Sequence, residues 1–518
     1  MKKLLLILLC SQTTLLFAQE GSFDSSFAGT GVVFKDYGTP WDDGNAVKVQ
    51  PDGKILIAGY TYTNNISDLA LSRYDALGNT DNSFGVNGSS IADVYQSQFD
   101  FAYDVDVLNS GTIIVGGKRF NGSYHDMLFS KFNSSGTLIA SYMPNPGTAD
   151  GIIYDVLVQP DQKILGAGLA YVNSHYQIAL YRIDSLLSPD SHFGTLGKVI
   201  TAVHGIEDYA AEATLQSDGK IVLVGTTNNG LEHNACVIRY NPDGTLDNTF
   251  GTNGITEVDF DPLYITEDYG QRVRILPDGK IVIAAIATTG NTNDNYDFGL
   301  ARLDSTGHMD YTFGNQGIVT VDRGSIYDYT LGLAIQQDGK VIIGGYKGLS
   351  ADIALLRFNT NGTPDNTFGT NGEFSYDFHG LDDNIFDLTM QSDGNILAVG
   401  TTNNGGAKDV FLAKIFASGN VGILEDLMNS NQVQLYPNPV LESINLQYTL
   451  SSEQLLTFEL LNAEGKLLTT FTQNSPRKTG LNQEHFSLPK NITAGNYILR
   501  ISDEMNRKSA AIRFVVGK

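Results

Sequence analysis

Short apolar runs separated by glycine- and aspartate-rich turns fill most of this chain. The pattern is clearest around Pro51. Ala46–Gln50 alternates apolar and polar positions, Pro51-Asp52-Gly53 turns, and Ile55–Ala58 is unbroken apolar. Alternation marks a strand with one wet face, and an unbroken run marks one covered on both faces, as between stacked sheets. Asp-Gly between two such runs is a strong hairpin signal. Leu69, Leu71 and Arg73 then lie on a third strand, Gly78–Gly88 is turn-rich, and Ile91–Val94 makes a fourth. The spacing predicts strands throughout and no helices.

The same order of elements returns until about residue 420. The third position of the PDGKI turn falls at Gly53, Gly111, Gln162, Gly219, Gly279, Gly339 and Gly394, at intervals of 58, 51, 57, 60, 60 and 55. A second marker, Asp-x-x-Phe, begins at Asp24, Asp81, Asp190, Asp247, Asp310 and Asp365. A third is a basic residue 18 to 23 positions after each turn: Arg73, Lys131, Arg182, Arg239, Arg302, Arg357 and Lys414. Seven copies of four strands predict an all-β fold, a seven-bladed β-propeller of four-stranded blades. A β-solenoid would need shorter coils.

Several details refine that expectation. Gly59, Gly116, Gly168, Gly225, Gly344 and Gly400 recur beside the second strand, where a side chain is expected to collide with neighbouring backbone. Copy three has Gln162 in its turn, and MPNPGTAD (143–150) replaces the Asp-x-x-Phe-Gly segment before it, which predicts a distorted or decorated blade. Copy seven has no Asp-x-x-Phe-Gly and no fourth strand. The surplus pieces, Asp24–Gly31 and Val32–Lys35, lie at the other end, so Val32–Lys35 is expected to pair with Val410–Phe416 and close the ring.

Outside the repeats the register changes. Residues 1–19 (MKKLLLILLCSQTTLLFAQ) read as a signal peptide, and Leu9 before Cys10 argues against a lipoprotein. The propeller then occupies 20–421, and 422–432 lacks strand alternation and reads as a linker. Six short strands in 433–518 predict a small antiparallel β-sandwich, with Pro437 and Pro439 fixing the entry of an edge strand. No later run reaches the ~20 apolar residues of a transmembrane span.

DNTFGTNG and PDGKI together resemble the bacterial delta-60 repeat proteins, a β-propeller-like family, over roughly residues 20–420. That resemblance brings no established activity. The last segment is similar to the type A C-terminal sorting domain of type IX secretion cargo. The matching residues are Tyr436-Pro437-Asn438-Pro439, the Asn462–Lys466 turn with Gly465, Gly495-Asn496-Tyr497, and Lys508 leading the final strand. The resemblance implies export to the periplasm, passage through the outer membrane and removal of the domain at the surface. It makes residues 433–518 the contact with the secretion machinery; an accessory sandwich that only aids folding is the alternative.

Charge narrows the partners. The chain has 33 basic and 57 acidic residues, and loss of Lys2 and Lys3 with the signal leaves 31 − 57 = −26. Such a surface argues against nucleic acid or an anionic membrane. Cys10 would leave with the signal, and Cys236, alone in NACVIRY, reads as a buried small hydrophobe.

The recurring candidate for chemistry is an acid eleven positions before each turn: Asp42, Asp100, Asp208, Asp268, Asp328 and Asp383, with Asp150 one place earlier in copy three. If the strand each one opens is innermost, they form a ring near one channel mouth. A carboxylate ring suits a hard cation such as calcium, or a cationic ligand. The competing role is structural, an Asx-type turn or an ion pair with the once-per-blade Arg or Lys. Asn291–Asp297 is rich in oxygen ligands but lacks the glycine and terminal glutamate of a known calcium loop. The eight histidines show no metal-ligand spacing, and no nucleophile elbow or phosphate-cradling loop is present. No cofactor other than calcium is suggested.

The expectation is a secreted or cell-surface propeller that binds glycan, peptide or protein. The alternative is an extracellular polysaccharide hydrolase or lyase with a site built across blades, and a purely structural surface protein is a third. Polar residues peculiar to one or two blades would discriminate among them. Tyr171–Tyr176 and Asp261–Asp268 are where to look.

Overall fold

Each PDGKI-type turn folds as a three-residue loop. In the first copy Gln50 N–H donates to Lys54 O at 2.8 Å, and Gly53 sits at φ 83°. Gln162, at the same place in copy three, takes φ 67° without being glycine, and its Oε1 accepts Asn109 N–H of the preceding blade at 2.7 Å. The hairpins assemble into sheets whose order follows the chain. In the first, Asp42–Val49 is innermost, followed by Ile55–Thr63, Ile66–Tyr74 and Ser89–Ala92 at the outer edge.

The computed structural model describes Glu20–Gly517 apart from residues 64–65, 95–97, 145–149, 291–294, 325, 418–433, 438–439, 451–452, 463–466 and 504–507. The signal segment 1–19, the linker 422–432, Asn438, Pro439 and Gly465 thus lie outside the described residues. No helix is long and apolar enough to cross a membrane among those described. Gly21–Ala417 forms one compact unit and the C-terminal residues form another.

The first unit holds seven four-stranded antiparallel sheets, the blades of a propeller. The innermost strands of blades two to seven are Asp100–Val107, Gly151–Val158, Asp208–Leu215, Tyr269–Ile275, Asp328–Ile335 and Asp383–Met390. Consecutive innermost strands touch all the way round, the last against the first. Apolar packing follows this geometry. Seven buried clusters each draw on two consecutive blades, so the core lies between sheets rather than within any one. A blade alone would leave both apolar faces in water, which explains the unbroken apolar second strands.

Every innermost strand carries a β-bulge at the same place, as between Gly44 and Ala46 or between Ala210 and Glu212. The bulge pushes a carbonyl against the second strand. A Cβ at Gly59 would lie 1.8 Å from Asp43 O, and one at Gly225 2.0 Å from Tyr209 O. In copies two and six this role belongs to Gly117 and Gly345 instead. Gly116 and Gly344 face the side chains of Val156 and Leu388 in the next blade.

Two expectations about irregular copies resolve differently. Val32–Lys35 pairs with the third strand of blade seven, Val32 with Ala413 and Lys35 with Val410, so the chain's first strand is the outer edge of its last blade. Asp24 comes with it: Lys414 Nζ lies 3.5 Å from Asp24 Oδ2, and Lys414 O accepts Asp24 N–H at 2.8 Å. Blade three, in contrast, is a regular four-stranded sheet. The missing Asp-x-x-Phe belongs to blade two, where the third strand turns at Asn133–Thr137 directly into the outer strand Leu138–Tyr142.

The C-terminal unit contains two antiparallel sheets. One orders Gln434–Tyr436, Ser443–Leu450 and Gly480–Ser487, and the other Leu467–Arg477, Gln454–Asn462, Gly495–Asp503 and Lys508–Val516. They share a core that includes Ile444, Tyr448, Phe458, Leu499 and Phe514. Among the described residues the unit has seven strands where six were expected, because Gln454–Asn462 and Leu467–Arg477 are separate strands paired antiparallel. Pro437 follows the edge strand instead of opening it. Tyr497 is buried and donates its hydroxyl to Thr493 O at 2.9 Å.

Candidate binding face of the propeller

The six ring aspartates stand where their innermost strands begin, and all six are fully buried. Their carboxylates accept backbone N–H groups of the segment that arrives from the preceding blade. Asp42 accepts from Tyr37 at 2.8 Å, Asp100 from Val94 at 2.7 Å, Asp208 from Val203 at 2.9 Å and Asp268 from Phe260 at 2.9 Å. Asp328 and Asp383 do the same with Arg323 and Phe378, both at 2.7 Å. Asp150 in blade three instead accepts His125 N–H at 2.8 Å. Burial pushes the Asp100 and Asp268 carboxyls up to about 7, with the neighbouring Asp93 and Asp259 charges adding to the effect and backbone N–H donors opposing it.

The once-per-blade arginine pairs with a different acid. Arg73 Nε meets Asp81 Oδ2 at 2.7 Å, and Arg182, Arg239, Arg302 and Arg357 meet Asp190, Asp247, Asp310 and Asp365 at 2.8 Å. The guanidinium lies over the phenylalanine of the same Asp-x-x-Phe, 4.6 Å from the ring centre in Arg73–Phe84. It also donates to a carbonyl of the next blade, Arg73 to Ser134 O at 2.6 Å and Arg239 to Ser305 O at 2.6 Å. This repeating residue is therefore a rivet between blades. Burial alone would raise these acids, yet hydrogen bonds from Lys163, Arg182 and His192 N–H bring Asp190 down to about 2.

Along the channel the acid just past the bulge reaches to the next blade in four of the seven blades. Asp104 accepts Val156 N–H at 2.9 Å, Asp155 accepts Ala213 N–H at 3.1 Å, Glu212 accepts Val273 N–H at 2.6 Å and Asp387 accepts Val47 N–H at 3.0 Å. They line a cavity of about 240 Å³ together with Lys48, Arg272 and Arg274. Arg274 pairs with Glu212 at 2.7 Å, and Lys48 with Asp106 at 2.7 Å. Burial, reinforced by the nearby Asp104 charge, pushes Asp155 well up. These groups spend their bonding capacity on holding the ring.

The face where the innermost strands begin is aromatic. Tyr60 packs edge-on to Phe101 at 4.8 Å, Phe101 lies 6.5 Å from Tyr103, and Tyr103 lies 5.4 Å from Tyr154 at the channel mouth. A second arc runs Tyr269–Tyr296–Tyr329–Tyr346, at 6.5, 5.1 and 4.8 Å, with Tyr327 6.5 Å from Tyr296. Trp41 is 48% exposed and Tyr327 38%. Loop tips on this face add Tyr124, Ile206, Leu231, Leu263 and Leu349, all exposed. Between the arcs, His233 Nδ1 bonds Glu267, its Nε2 lies 3.5 Å from Glu207, and Tyr269 donates to Glu267 at 3.3 Å.

The two segments flagged in the sequence both lie here. Tyr171 and Tyr176 meet edge-to-face at 5.1 Å, and Asp261 of the Asp261–Asp268 segment accepts Gly290 N–H at 2.9 Å. Residues 291–294 of the oxygen-rich loop fall outside the described residues. The arcs themselves escaped the sequence reading. Their signal was an aromatic one to four places after the ring acid, at Phe101, Tyr103, Tyr154, Tyr209, Tyr269 and Tyr329.

Comparison with known proteins agrees with this architecture. Residues 50–84, 216–250, 276–313, 336–368 and 391–421 match the β-propeller family described as a domain of unknown function, DUF5122. Residues 434–516 match the secretion system C-terminal sorting domain family. No curated protein matches. Among solved structures, PorZ of Porphyromonas gingivalis, described as a surface component of the type IX secretion system, is 11% identical over 90% of this chain and 68% of its own, with a TM-score of 0.32. Virginiamycin B lyase from Staphylococcus aureus is 13% identical over 74% and 98%, with a TM-score of 0.42. Sqt1 of Chaetomium thermophilum is 11% identical over 73% and 96%, with a TM-score of 0.43.

Proposed function

Starting from a repeat β-propeller whose sorting domain sends it to the cell surface or beyond through the type IX secretion system, we propose that it is a carbohydrate-binding module. The observation that carries this reading is the pair of aromatic arcs on one face, with Trp41, beside Tyr62, and Tyr327, beside Tyr296, open to solvent. Aromatic faces give a sugar ring a large apolar platform, while the polar edges of tyrosine and nearby carboxylates hold its hydroxyls. Protein loops offer the same face a competing set of apolar contacts, so a peptide or protein ligand is the neighbouring possibility.

The experiment is a glycan and peptide array probed with the full chain, followed by titration of the strongest ligand. Trp41→Ala and Tyr327→Ala are each expected to weaken binding about tenfold, since ~1.4 kcal/mol of stacking is a factor of ten in Kd. A protein that retains only peptides would refute the carbohydrate reading, and variants that bind glycan like the parent would refute the arcs as its site. The alternative of a hydrolase or lyase rests on His233 beside Glu207, Glu267 and Tyr269, a set suited to general acid–base work. Depolymerisation of a retained glycan that is lost in His233→Ala would favour it.

A further inference from the structure

We propose that the propeller binds calcium at three blade junctions, each time through three aspartates. The triads are Asp68, Asp93 and Asp100; Asp297, Asp322 and Asp328; and Asp409, Asp36 and Asp42. In each, one oxygen from every residue lies within 4.8 Å of the other two. Calcium–oxygen distances of about 2.3–2.6 Å span that separation across a single ion, which magnesium at about 2.0–2.1 Å does less readily.

The three sites have one construction. The first acid lies on the third strand of one blade, the second follows that blade's outermost strand, and the third opens the next innermost strand. Pairing of Leu69 with Ala92, Phe298 with Val321 and Lys35 with Val410 sets the first two acids side by side just past the ladder. Along the chain the same step recurs, 93 − 68 = 25 and 322 − 297 = 25.

Clustered acids alone are common on so acidic a surface, and several of these carboxylates take backbone donors. The independent sign of a ligand is the oxygen atoms left over. Asp100 is fully buried, yet its Oδ1 has no hydrogen-bond partner. Asp409 Oδ1 is buried and unpartnered as well. At a fourth junction Asn234 occupies the place of Asp68, with Asp259 25 residues on (259 − 234 = 25), and Asn234 Oδ1 is again buried without a partner. Asp409 and Asn234 stand at equivalent positions in different blades, and with Asp100 they leave acceptors where no donor stands; Asp297, the equivalent residue of the second triad, accepts instead from Asn295 and Thr289. A cation supplies what is missing. It would offset two of the three like charges and tie each blade to its neighbour on the face that carries the aromatic arcs. The all-oxygen, all-carboxylate donor set, without histidine or thiolate, selects a hard ion.

The proposal does not depend on what the face binds. Full-length protein stripped with chelator is melted with calcium, magnesium or sodium chloride at equal ionic strength, and calcium is titrated calorimetrically. Calcium should raise Tm beyond the other salts, with about three ions per chain and dissociation constants near 10⁻⁴–10⁻³ M, the range of extracellular modules. Asp93→Asn and Asp322→Asn alter exposed side chains and spare the buried ones. Each should remove about one ion, and the double variant about two. Melting indifferent to calcium would overturn the proposal. So would a titration unchanged in both variants, which would assign the ion to the acidic surface at large.

Discussion

The aspartates of this propeller divide into two chemical populations that pull stability in opposite directions with pH. Asp100 and Asp268 open innermost strands, and burial raises both to about 7. An unfolded aspartate titrates near 3.9. The folded chain therefore holds these protons more tightly, so their contribution is fully present below about pH 4 and is lost as pH rises through 7. Asp190 and Asp365 behave in reverse. Although burial pushes against it, the hydrogen bonds from Lys163 and Arg182, or from Lys340 and Thr367, hold them at about 2. Their contribution is present above about pH 4 and disappears as pH falls towards 2. In calcium-free buffer Tm should therefore decline between about pH 5 and 7.5. Asp268→Asn should lower Tm overall, because Asp268 Oδ1 and Oδ2 both accept backbone N–H groups, yet flatten that decline. An Asp268→Asn curve parallel to the parent would show that Asp268 is ionised throughout. In the sequence the two populations looked alike, recurrent acids at turn-rich places. Only the register separated them, by pairing the arginine with the Asp-x-x-Phe acid and leaving the ring acid to backbone donors.

At the scale of the element, hairpins and their order were legible because Asp-Gly turns and apolar runs are local signals. Register was not. A bulge places two residues opposite one, and nothing in the composition of Asn45, Ala211 or Phe386 announces it. The strand glycines were consequently misassigned by one position in copies two and six, where Gly117 and Gly345 face the displaced carbonyl. The absent Asp-x-x-Phe was charged to blade three for a related reason. Its place between the third and outer strands of blade two becomes visible only once the strands are paired. The bulge makes a sharp demand on the second strand. A methyl group at Gly400 would stand 1.8 Å from Asn384 O, and backbone must move to admit it. Gly400→Ala is expected to destabilise by roughly 2–4 kcal/mol, in the range of severe single substitutions. Gly406, with open space around it and no left-handed backbone, should accept alanine nearly unchanged. Urea midpoints of the two variants check this, and equal midpoints would mean the bulge relaxes at little cost.

Over the whole molecule, the repeat periods of 51 to 60 residues carried the architecture and the terminal motifs carried the export route. The channel contents and the aromatic arcs stayed hidden, because they depend on which side chains seven separate strands turn towards one axis. Closure was legible from an imbalance, a last copy lacking a strand and a first segment with one to spare. In the structure Val32–Lys35 completes blade seven, Phe27 is buried in the cluster between blades seven and one, and Asp24 meets Lys414. The ring is thereby fastened by chain ends about 380 residues apart, a junction no other blade shares. An open ring would expose two blade faces and the unpaired edge of Lys408–Ile415, which costs apolar burial and invites strand addition by other chains. Every other blade leans on its two neighbours, so loosening this junction removes support from both sides at once. Deleting Gly21–Lys35 should accordingly lower Tm by roughly 5–10 °C, broaden the transition and promote aggregation, although only fifteen residues are lost. Phe27→Ala should reproduce part of the drop, since it empties the same interface while keeping the strand. Calorimetry of the three proteins at one concentration decides the matter: a deletion protein with the parent's Tm and a single sharp transition would mean that the remaining blades close without the first strand.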